Sequence, residues 1–144
     1  MTGRCFVDTN IFLYAASKDP ADQEKKERAR QLLLHEDVVI SAQVLQEFFA
    51  AAVRKRRLGL SEEEAQEAIR MMGEFPVLPI TSALVQDAIE QRARHQISYW
   101  DAAIVAAAQQ LRCEVIYTED LNHGQDFGTV VAQNPFRTRR VSSR

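Results

Sequence analysis

Four acidic side chains lie where a short apolar segment ends, or in the helix that follows one: Asp8, Glu47, Asp101 and Asp120. Two carboxylates about 4 Å apart repel each other by roughly 4 kcal/mol at an effective dielectric constant near 20. A cluster of such groups takes up protons or distorts the fold unless a cation lies among them. Oxygen ligands favour a hard cation such as Mg²⁺ or Mn²⁺. If the four acids meet, the sequence predicts a metal site.

Each acid taken alone also has an ordinary structural explanation. Asp8 and Asp120 could be turn residues, and Asp101 could favour the positive end of its helix. Glu47 is harder to explain in this way because its neighbours Val44, Leu45, Phe48 and Phe49 are apolar. A buried glutamate is rare unless it is paired or bound to a metal.

The elements that must position these acids follow from the pattern of apolar residues. Strands are predicted at 4–7, 38–40, 114–117 and 129–131, with an edge strand interrupted by two prolines at 75–80. Helices are predicted at 19–35, 42–57, 61–72, 81–95 and 99–111. Short strands alternating with longer helices predict a parallel sheet covered by helices on both faces. The carboxyl ends of parallel strands share one edge of the sheet, so this fold class would bring the four acids together.

Local signals fix several of the helix ends. Ser41 is predicted as an N-cap, and Ser61 with Glu64 three residues later has the pattern of a capping box. In the helix at 81–95, the inner stripe is predicted to include Leu84, Val85, Ala88 and Ile89.

The composition is that of a globular protein. The chain has 144 residues, of which 46% are hydrophobic and 26% charged, and its net charge is −2. No apolar stretch reaches the roughly 20 residues that span a bilayer, and no signal peptide is evident, so we expect a cytoplasmic protein without a membrane partner. Cys5 and Cys113 are expected to be free, buried thiols. We expect one domain at 1–136 and a flexible, Arg-rich tail at 137–144.

Other catalytic classes match the sequence poorly. Five glycines form no phosphate-binding loop, and no Ser or Cys nucleophile motif accompanies the three histidines. A haloacid-dehalogenase-like phosphatase needs a second Asp two residues after the first, whereas Asn10 stands two residues after Asp8. A receiver-like domain would need an acidic pair before its central Asp and a late Lys after a strand, and neither is evident.

Together, the motifs FVDTN at 6–10, Ser41 with Glu47, YWDAA at 99–103 and YTED at 117–120 resemble those of the PIN domain family, particularly its VapC-like toxin ribonucleases. The resemblance covers nearly the whole chain, and its acidic motifs occur in the family's order. It implies a PIN-like three-layer α/β/α sandwich with a central parallel β-sheet. It also implies hydrolysis of RNA phosphodiester bonds that depends on Mg²⁺ or Mn²⁺.

The resemblance also implies roles for individual residues. The catalytic acids would be Asp8, Glu47, Asp101 and Asp120. We expect metal binding by Asp8, Asp101 and Asp120, and Glu47 would orient the attacking water. The supporting polar residues would be Thr9, Asn10, Ser41 and Thr118. Hydrolysis would leave a 5′-phosphate and a 3′-hydroxyl, because the ribose 2′-hydroxyl is not the nucleophile.

The expected partners are an RNA substrate, a cognate antitoxin protein and a second copy of the chain in a homodimer. Two alternatives stay open at this stage: a structure-specific DNA or flap nuclease, and a catalytically silent PIN fold that acts as a binding module.

Substrate contacts need positive charge, which the net charge does not supply. Arg54 follows Glu47 by seven residues, so it shares that helical face about 10 Å further along. Arg54 and Lys55 are therefore candidate RNA contacts, although basic residues at a helix C-terminus also suit the helix dipole. His123 and the Arg-rich tail are weaker candidates. We expect Trp100 to pack into the protein rather than to stack on bases.

Overall fold

The computed structural model describes residues 3–35 and 37–137. The predicted tail at 137–144 lies outside the described residues, apart from the exposed Arg137. Within these residues the chain forms five strands: β1 (Cys5–Val7), β2 (Val38–Ser41), β3 (Val77–Leu78), β4 (Val115–Tyr117) and β5 (Val131–Gln133). The same residues form six α-helices: α1 (Thr9–Ala16), α2 (Gln23–Leu32), α3 (Ala42–Arg54), α4 (Glu62–Met72), α5 (Ser82–His95) and α6 (Tyr99–Gln110). Short 3₁₀ turns lie at Pro20–Asp22 and Arg56–Leu58.

The five strands form one parallel sheet in the order β3-β2-β1-β4-β5. The central strand is β1, whose Cys5 lies opposite Val38 of β2 and Val115 of β4. The helices pack in two groups, α1 to α4 and α5 with α6, and both groups contact the sheet. This arrangement confirms the predicted three-layer α/β/α sandwich. It also places the residues that follow β1, β2 and β4 along the same edge.

Helix α6 is buried on every side along most of its length. Every residue from 102 to 108 is buried, and the helix contacts α5, β2 and β4. Five of these seven residues are alanine, and a short side chain allows a helix to approach its neighbours closely. The buried segment starts directly after Asp101. The packing of α6 therefore holds Asp101 in place relative to the sheet.

The capping predictions have two different outcomes. The Ser61 hydroxyl accepts from the Glu64 amide at 3.0 Å and the Glu64 side chain accepts from the Ser61 amide at 2.9 Å, which confirms the capping box. Ser41 precedes α3 as predicted, but its side chain makes no cap hydrogen bond. Its hydroxyl is buried and has no hydrogen-bond partner among the described residues.

Helix α1 (Thr9–Ala16) was not predicted, and the helix predicted at 19–35 is a 3₁₀ turn followed by α2, which ends at Leu32. Three further boundaries or faces also differ from the prediction. Helix α3 ends at Arg54 rather than near residue 57, because Lys55 leaves the helical conformation and a 3₁₀ turn then buries Leu58. Strand β5 starts two residues later than predicted, after a turn at Gly128 with φ of 96°. Ile89 was wrongly placed on the inner face of α5, since it is 53% exposed.

The two cysteines are free and buried, as predicted. Burial, together with the Asp37 charge, raises the pKa of the Cys5 thiol to about 11, and burial raises the pKa of Cys113 to about 12. Both thiols therefore stay protonated at neutral pH. In the described part of the chain, no helix has the length and apolar character needed to cross a membrane.

Candidate active site

Asp8 lies between the central strand β1 and helix α1. It is the N-cap of α1, and its Oδ1 accepts a hydrogen bond from the Thr9 amide at 2.7 Å. Its own amide donates to the Tyr117 carbonyl of β4 at 3.0 Å, so the neighbouring strand fixes the backbone. The side chain is buried, with 4% of the residue exposed. Strand pairing and helix capping therefore hold one carboxylate in a fixed position at the sheet edge.

Thr118 connects the ends of β1 and β4. Its fully buried hydroxyl donates to Asp8 Oδ2 at 2.8 Å and accepts from the Asp120 amide at 3.0 Å. The Asn10 side chain reaches the same group, with its Nδ2 3.3 Å from Thr118 Oγ1 and 3.1 Å from Asp120 Oδ2. Asn10 Oδ1 also accepts from the Glu119 amide at 3.2 Å. Thr118 and Asn10 therefore orient Asp8 and Asp120 relative to each other.

Glu47 comes from helix α3 and is held by neutral donors. Thr9 Oγ1 donates to Glu47 Oε1 at 2.7 Å, and Gln43 Nε2 donates to Oε2 at 2.9 Å. The same Gln43 nitrogen donates to the Trp100 carbonyl at 3.1 Å, so it links α3 to α6. Neutral donors orient the carboxylate without cancelling its charge. Gln43 was not predicted as a site residue, although its position one helical turn before Glu47 was a usable signal.

Asp101 lies in the first turn of α6, where the Ser98 hydroxyl accepts from its amide at 3.0 Å. It is half-buried, whereas Asp120 is exposed. The four acids therefore come from four parts of the chain: the ends of β1 and β4, and helices α3 and α6.

All four acids line one cleft of about 510 Å³. Arg54, Lys55 and Trp100 line it as well. The cleft therefore brings together the acids and both candidate basic residues. Tyr14 and Glu119 also line the cleft.

Three other predicted site residues are not among those that line the cleft. Thr118 and Ser41 are buried and do not reach the cleft surface. His123 lies elsewhere, and its Nδ1 accepts from the Asn134 amide at 3.0 Å. This contact gives His123 a role in ordering its loop.

The Glu119 carboxylate is bound by Tyr14 and Lys25. The Tyr14 hydroxyl donates to Glu119 Oε1 at 2.7 Å, and Lys25 forms an ion pair with the other carboxylate oxygen. Lys25 also lies 4.7 Å from the centre of the Tyr14 ring. This arrangement neutralises Glu119 at the cleft wall, so the uncompensated charge is that of the four acids. Sequence could not reveal these contacts, because they join residues 94 and 105 positions apart.

Trp100 was predicted to pack into the protein, and the structure contradicts this prediction. The residue is 64% exposed and contacts the Tyr99 ring edge-to-face, with the ring centres 5.0 Å apart. The prediction was wrong because Trp100 lies in the first turn of α6, before the buried segment, and its side chain is exposed to solvent there.

The electrostatics of the cleft show an excess of negative charge. Burial raises the pKa of Asp8 to about 7, and the charges of Asp120 and Glu47 act in the same direction. Hydrogen bonds from Thr118 and Thr9 oppose this change. Burial, followed by the Asp120 charge, also raises the pKa of Asp101. The folded chain therefore favours bound protons, or a bound cation, at this edge.

The donor set fits a hydrated hard cation. Within residues 3–35 and 37–137, no three His, Cys, Asp or Glu side chains are already arranged to chelate one ion. Magnesium commonly keeps several waters and uses only one or two carboxylates, so it does not need a preformed cage. The raised pKa of Asp8 and the oxygen-only donors both suit such an ion.

Comparison with known proteins identifies the family. A family model described as PIN domain matches residues 5–125. No curated protein sequence matches the chain.

Three similar solved structures share the fold. A toxin–antitoxin complex from Klebsiella pneumoniae has 20% identity and a TM-score of 0.67, covering 93% of this chain and 99% of that chain. VapC20 of Mycobacterium tuberculosis, a toxin that cleaves the sarcin–ricin loop, has 24% identity and a TM-score of 0.65, with 81% and 89% covered. VapBC2 of Rickettsia felis, bound to a promoter DNA fragment, has 17% identity and a TM-score of 0.64, with 90% and 97% covered.

The charge on Asp8 gives a first testable prediction. Its folded pKa lies above the value near 4 of an unfolded aspartate, so the folded state binds this proton more tightly and the contribution of Asp8 to stability falls as pH rises from about 4 to 7. Asp8→Asn removes the titrating group. In EDTA, the variant should lose less stability than wild type over that range, by a few kcal/mol, since one pKa unit is about 1.4 kcal/mol.

Urea unfolding at a series of pH values measures this difference. Asp87→Asn, an exposed acid on α5, is the matched control and should follow the wild-type pH profile. Identical profiles for Asp8→Asn and wild type would contradict the raised pKa.

The Thr118 hydroxyl gives a second prediction. Thr118→Val keeps the side-chain shape but removes the donor to Asp8, and the unpaired partners should cost about 2 kcal/mol of stability in EDTA. The cost should be larger at pH 8 than at pH 5, because this hydrogen bond favours the ionised form of Asp8. Thr118→Ser retains the hydroxyl and should not show the pH-dependent part. An equal loss at both pH values in Thr118→Val would count against the interaction.

Proposed function

The chain belongs to the PIN domain family, and from that premise we propose that it is an Mg²⁺- or Mn²⁺-dependent endoribonuclease and the toxin of a toxin–antitoxin pair. The observation that carries the proposal is the convergence of four carboxylates from four separate elements in one cleft. A phosphodiester is itself an anion, so such a cleft suits it only if a cation lies between the acids and the phosphate.

In this proposal Asp8, Asp101 and Asp120 hold the cation, directly or through water. When bound, the cation lowers the pKa of water and offsets the charge that develops on the phosphate. Thr118 and Asn10 keep Asp8 and Asp120 in position through their hydrogen bonds. These two residues act through the acids rather than on the substrate.

Glu47 is proposed to orient the attacking water. Thr9 and Gln43 each donate one hydrogen bond to its carboxylate, which fixes its orientation and leaves further lone pairs available. The proposed products are a 5′-phosphate and a 3′-hydroxyl, as expected for water attacking the phosphorus.

Arg54 and Lys55 are proposed to bind phosphates next to the one that reacts. Both are exposed and line the cleft, and no ion pair among the described residues links either of them to an acid. Arg57, by contrast, is paired with Asp19 and Asp22. Two cationic side chains thus stay available to a polyanion.

The choice of RNA and of a protein partner is supported by the structural neighbours. VapC20 is a toxin that cleaves the sarcin–ricin loop, which is RNA, and the neighbour from Klebsiella pneumoniae is a toxin–antitoxin complex. We propose by analogy that an antitoxin binds this chain, and that the chain forms a homodimer.

Cleavage of a panel of structured RNAs is the direct test. Wild type should cut at least one RNA with Mg²⁺ or Mn²⁺ and none in EDTA. Asp101→Asn and Glu47→Gln should each lower the rate by at least about 100-fold, because each removes charge or orientation needed in the transition state. Asp87→Asn should retain wild-type cleavage.

Two controls sharpen the cleavage test. Mn²⁺ should raise the melting temperature of wild type more than that of Asp101→Asn, because a ligand that binds only the folded state stabilises it. A parallel panel of single-stranded and flap DNA substrates tests the sugar preference. Cleavage that persists in Asp101→Asn would refute the site, and cleavage of DNA alone would refute the choice of RNA.

The basic residues give a separate prediction. Arg54→Gln and Lys55→Gln should each raise the KM for RNA several-fold with a smaller change in kcat, because they bind phosphates away from the reacting centre. The slope of log affinity against log salt concentration should decrease by about 0.7 for each phosphate that is no longer neutralised. Arg92→Gln, an exposed position on α5, is the matched control. Unchanged KM and salt slope in both variants would assign these residues to helix capping alone.

A further inference from the structure

Trp100 is the only tryptophan of the chain, and it is 64% exposed. The other exposed large hydrophobic residues in the described part of the chain do not line the acidic cleft; they are Leu34, Val53, Met71, Ile80 and Ile89. An aromatic side chain left open at a functional cleft is a common sign of a binding surface. The exposure of Trp100 therefore indicates that a ligand contacts its side chain inside the cleft.

The position of Trp100 is fixed relative to the acids. It precedes Asp101 in the first turn of α6, and its carbonyl accepts from Gln43, which also donates to Glu47. Its ring packs edge-to-face on Tyr99. The indole is thus anchored next to two of the four carboxylates while most of its surface stays accessible.

The surroundings of Trp100 define the chemistry of its ligand. The acids with a cation would take the phosphate that reacts, and Arg54 and Lys55 would take other phosphates. An exposed indole in the same cleft favours a flat, weakly polar group that is attached to phosphates, which describes a nucleobase. An apolar protein surface fits less well, since it would bury Asp101 and Lys55 without partners.

We infer that Trp100 is a substrate-binding residue that stacks on an unpaired base beside the scissile phosphate. This inference rests on the proposed nuclease function. Bases within a duplex already stack on their neighbours and present no free face to the indole. The base that stacks on Trp100 must therefore be unpaired.

Tryptophan emission offers a direct test, because Trp100 is the only source of the signal. In Asp120→Asn, which should bind RNA without cutting it, a short single-stranded RNA should quench the emission to saturation. The same RNA in a perfect duplex, and a ribose-phosphate oligomer without bases, should not. RNA binding seen by anisotropy without any quenching would overturn the inference, as would equal quenching by the oligomer without bases.

Kinetics provide the second arm of the test. Trp100→Ala should raise KM for single-stranded RNA by roughly 5- to 150-fold, the range expected when one base–aromatic stack is removed. Trp100→Phe should restore most of the affinity, and Ile89→Ala, the matched exposed control, should behave as wild type. An equal effect of Trp100→Ala on single-stranded and duplex RNA would overturn the inference. Melting temperatures check that each variant is folded.

These results separate the inference from the proposed function. If wild type cleaves RNA but Trp100→Ala is unchanged, stacking is refuted and the nuclease stands. If single-stranded RNA quenches Trp100 but wild type cleaves nothing, stacking is supported and hydrolysis is refuted. If the emission of the free protein changes over the concentration range in which sedimentation shows a dimer, Trp100 is a subunit contact and the inference is overturned.

Discussion

The carboxylate of Asp8 lies at the end of the central strand, 4% exposed and near the charges of Asp120 and Glu47. A buried charge of this kind destabilises the folded state unless donors, protons or a cation compensate it. The parallel arrangement of the strands brings these acidic side chains close together. The carboxyl ends of β1, β2 and β4 share one edge, so acids placed after the strands or in the following helices converge. The rest of the site can be understood as a response to that concentration of charge.

Neutral hydrogen-bond donors, rather than cationic side chains, hold these carboxylates. Thr9 and Thr118 donate to Asp8, Gln43 and Thr9 donate to Glu47, and Asn10 donates to Asp120. Two of the cationic side chains near the cleft are paired with other acids, Lys25 with Glu119 and Arg57 with Asp19 and Asp22. A lysine or arginine among the four acids would stabilise the metal-free protein but would compete with a metal ion for the same oxygens. Neutral donors fix the geometry and keep the negative potential.

Sequence was sufficient for the features that depend on local pattern or on strand order. Alternating short strands and helices predicted the parallel sheet, and that sheet predicted the shared edge for Asp8, Glu47, Asp101 and Asp120. The hydrogen bond from Thr118 to Asp8 depends on the register between β1 and β4, which single-sequence reasoning does not supply. The exposure of Trp100 was missed because the alanines of α6 are buried all round and give no periodic signal for its orientation.

The same helix geometry that collects the acids keeps the basic residues apart from them. Arg54 follows Glu47 by two helical turns, which is about 10 Å along α3 and beyond the 4 Å range of an ion pair. The helix then ends at Arg54, and the 3₁₀ turn that follows anchors the chain by burying Leu58. Arg54 and Lys55 therefore line the cleft without neutralising its acids. In the proposed function, a polyanion can place one phosphate against a cation held by the acids and another against Arg54 or Lys55, whereas a small phosphate ester would reach only one of these positions. The separation of charge along α3 thus favours a polymeric substrate.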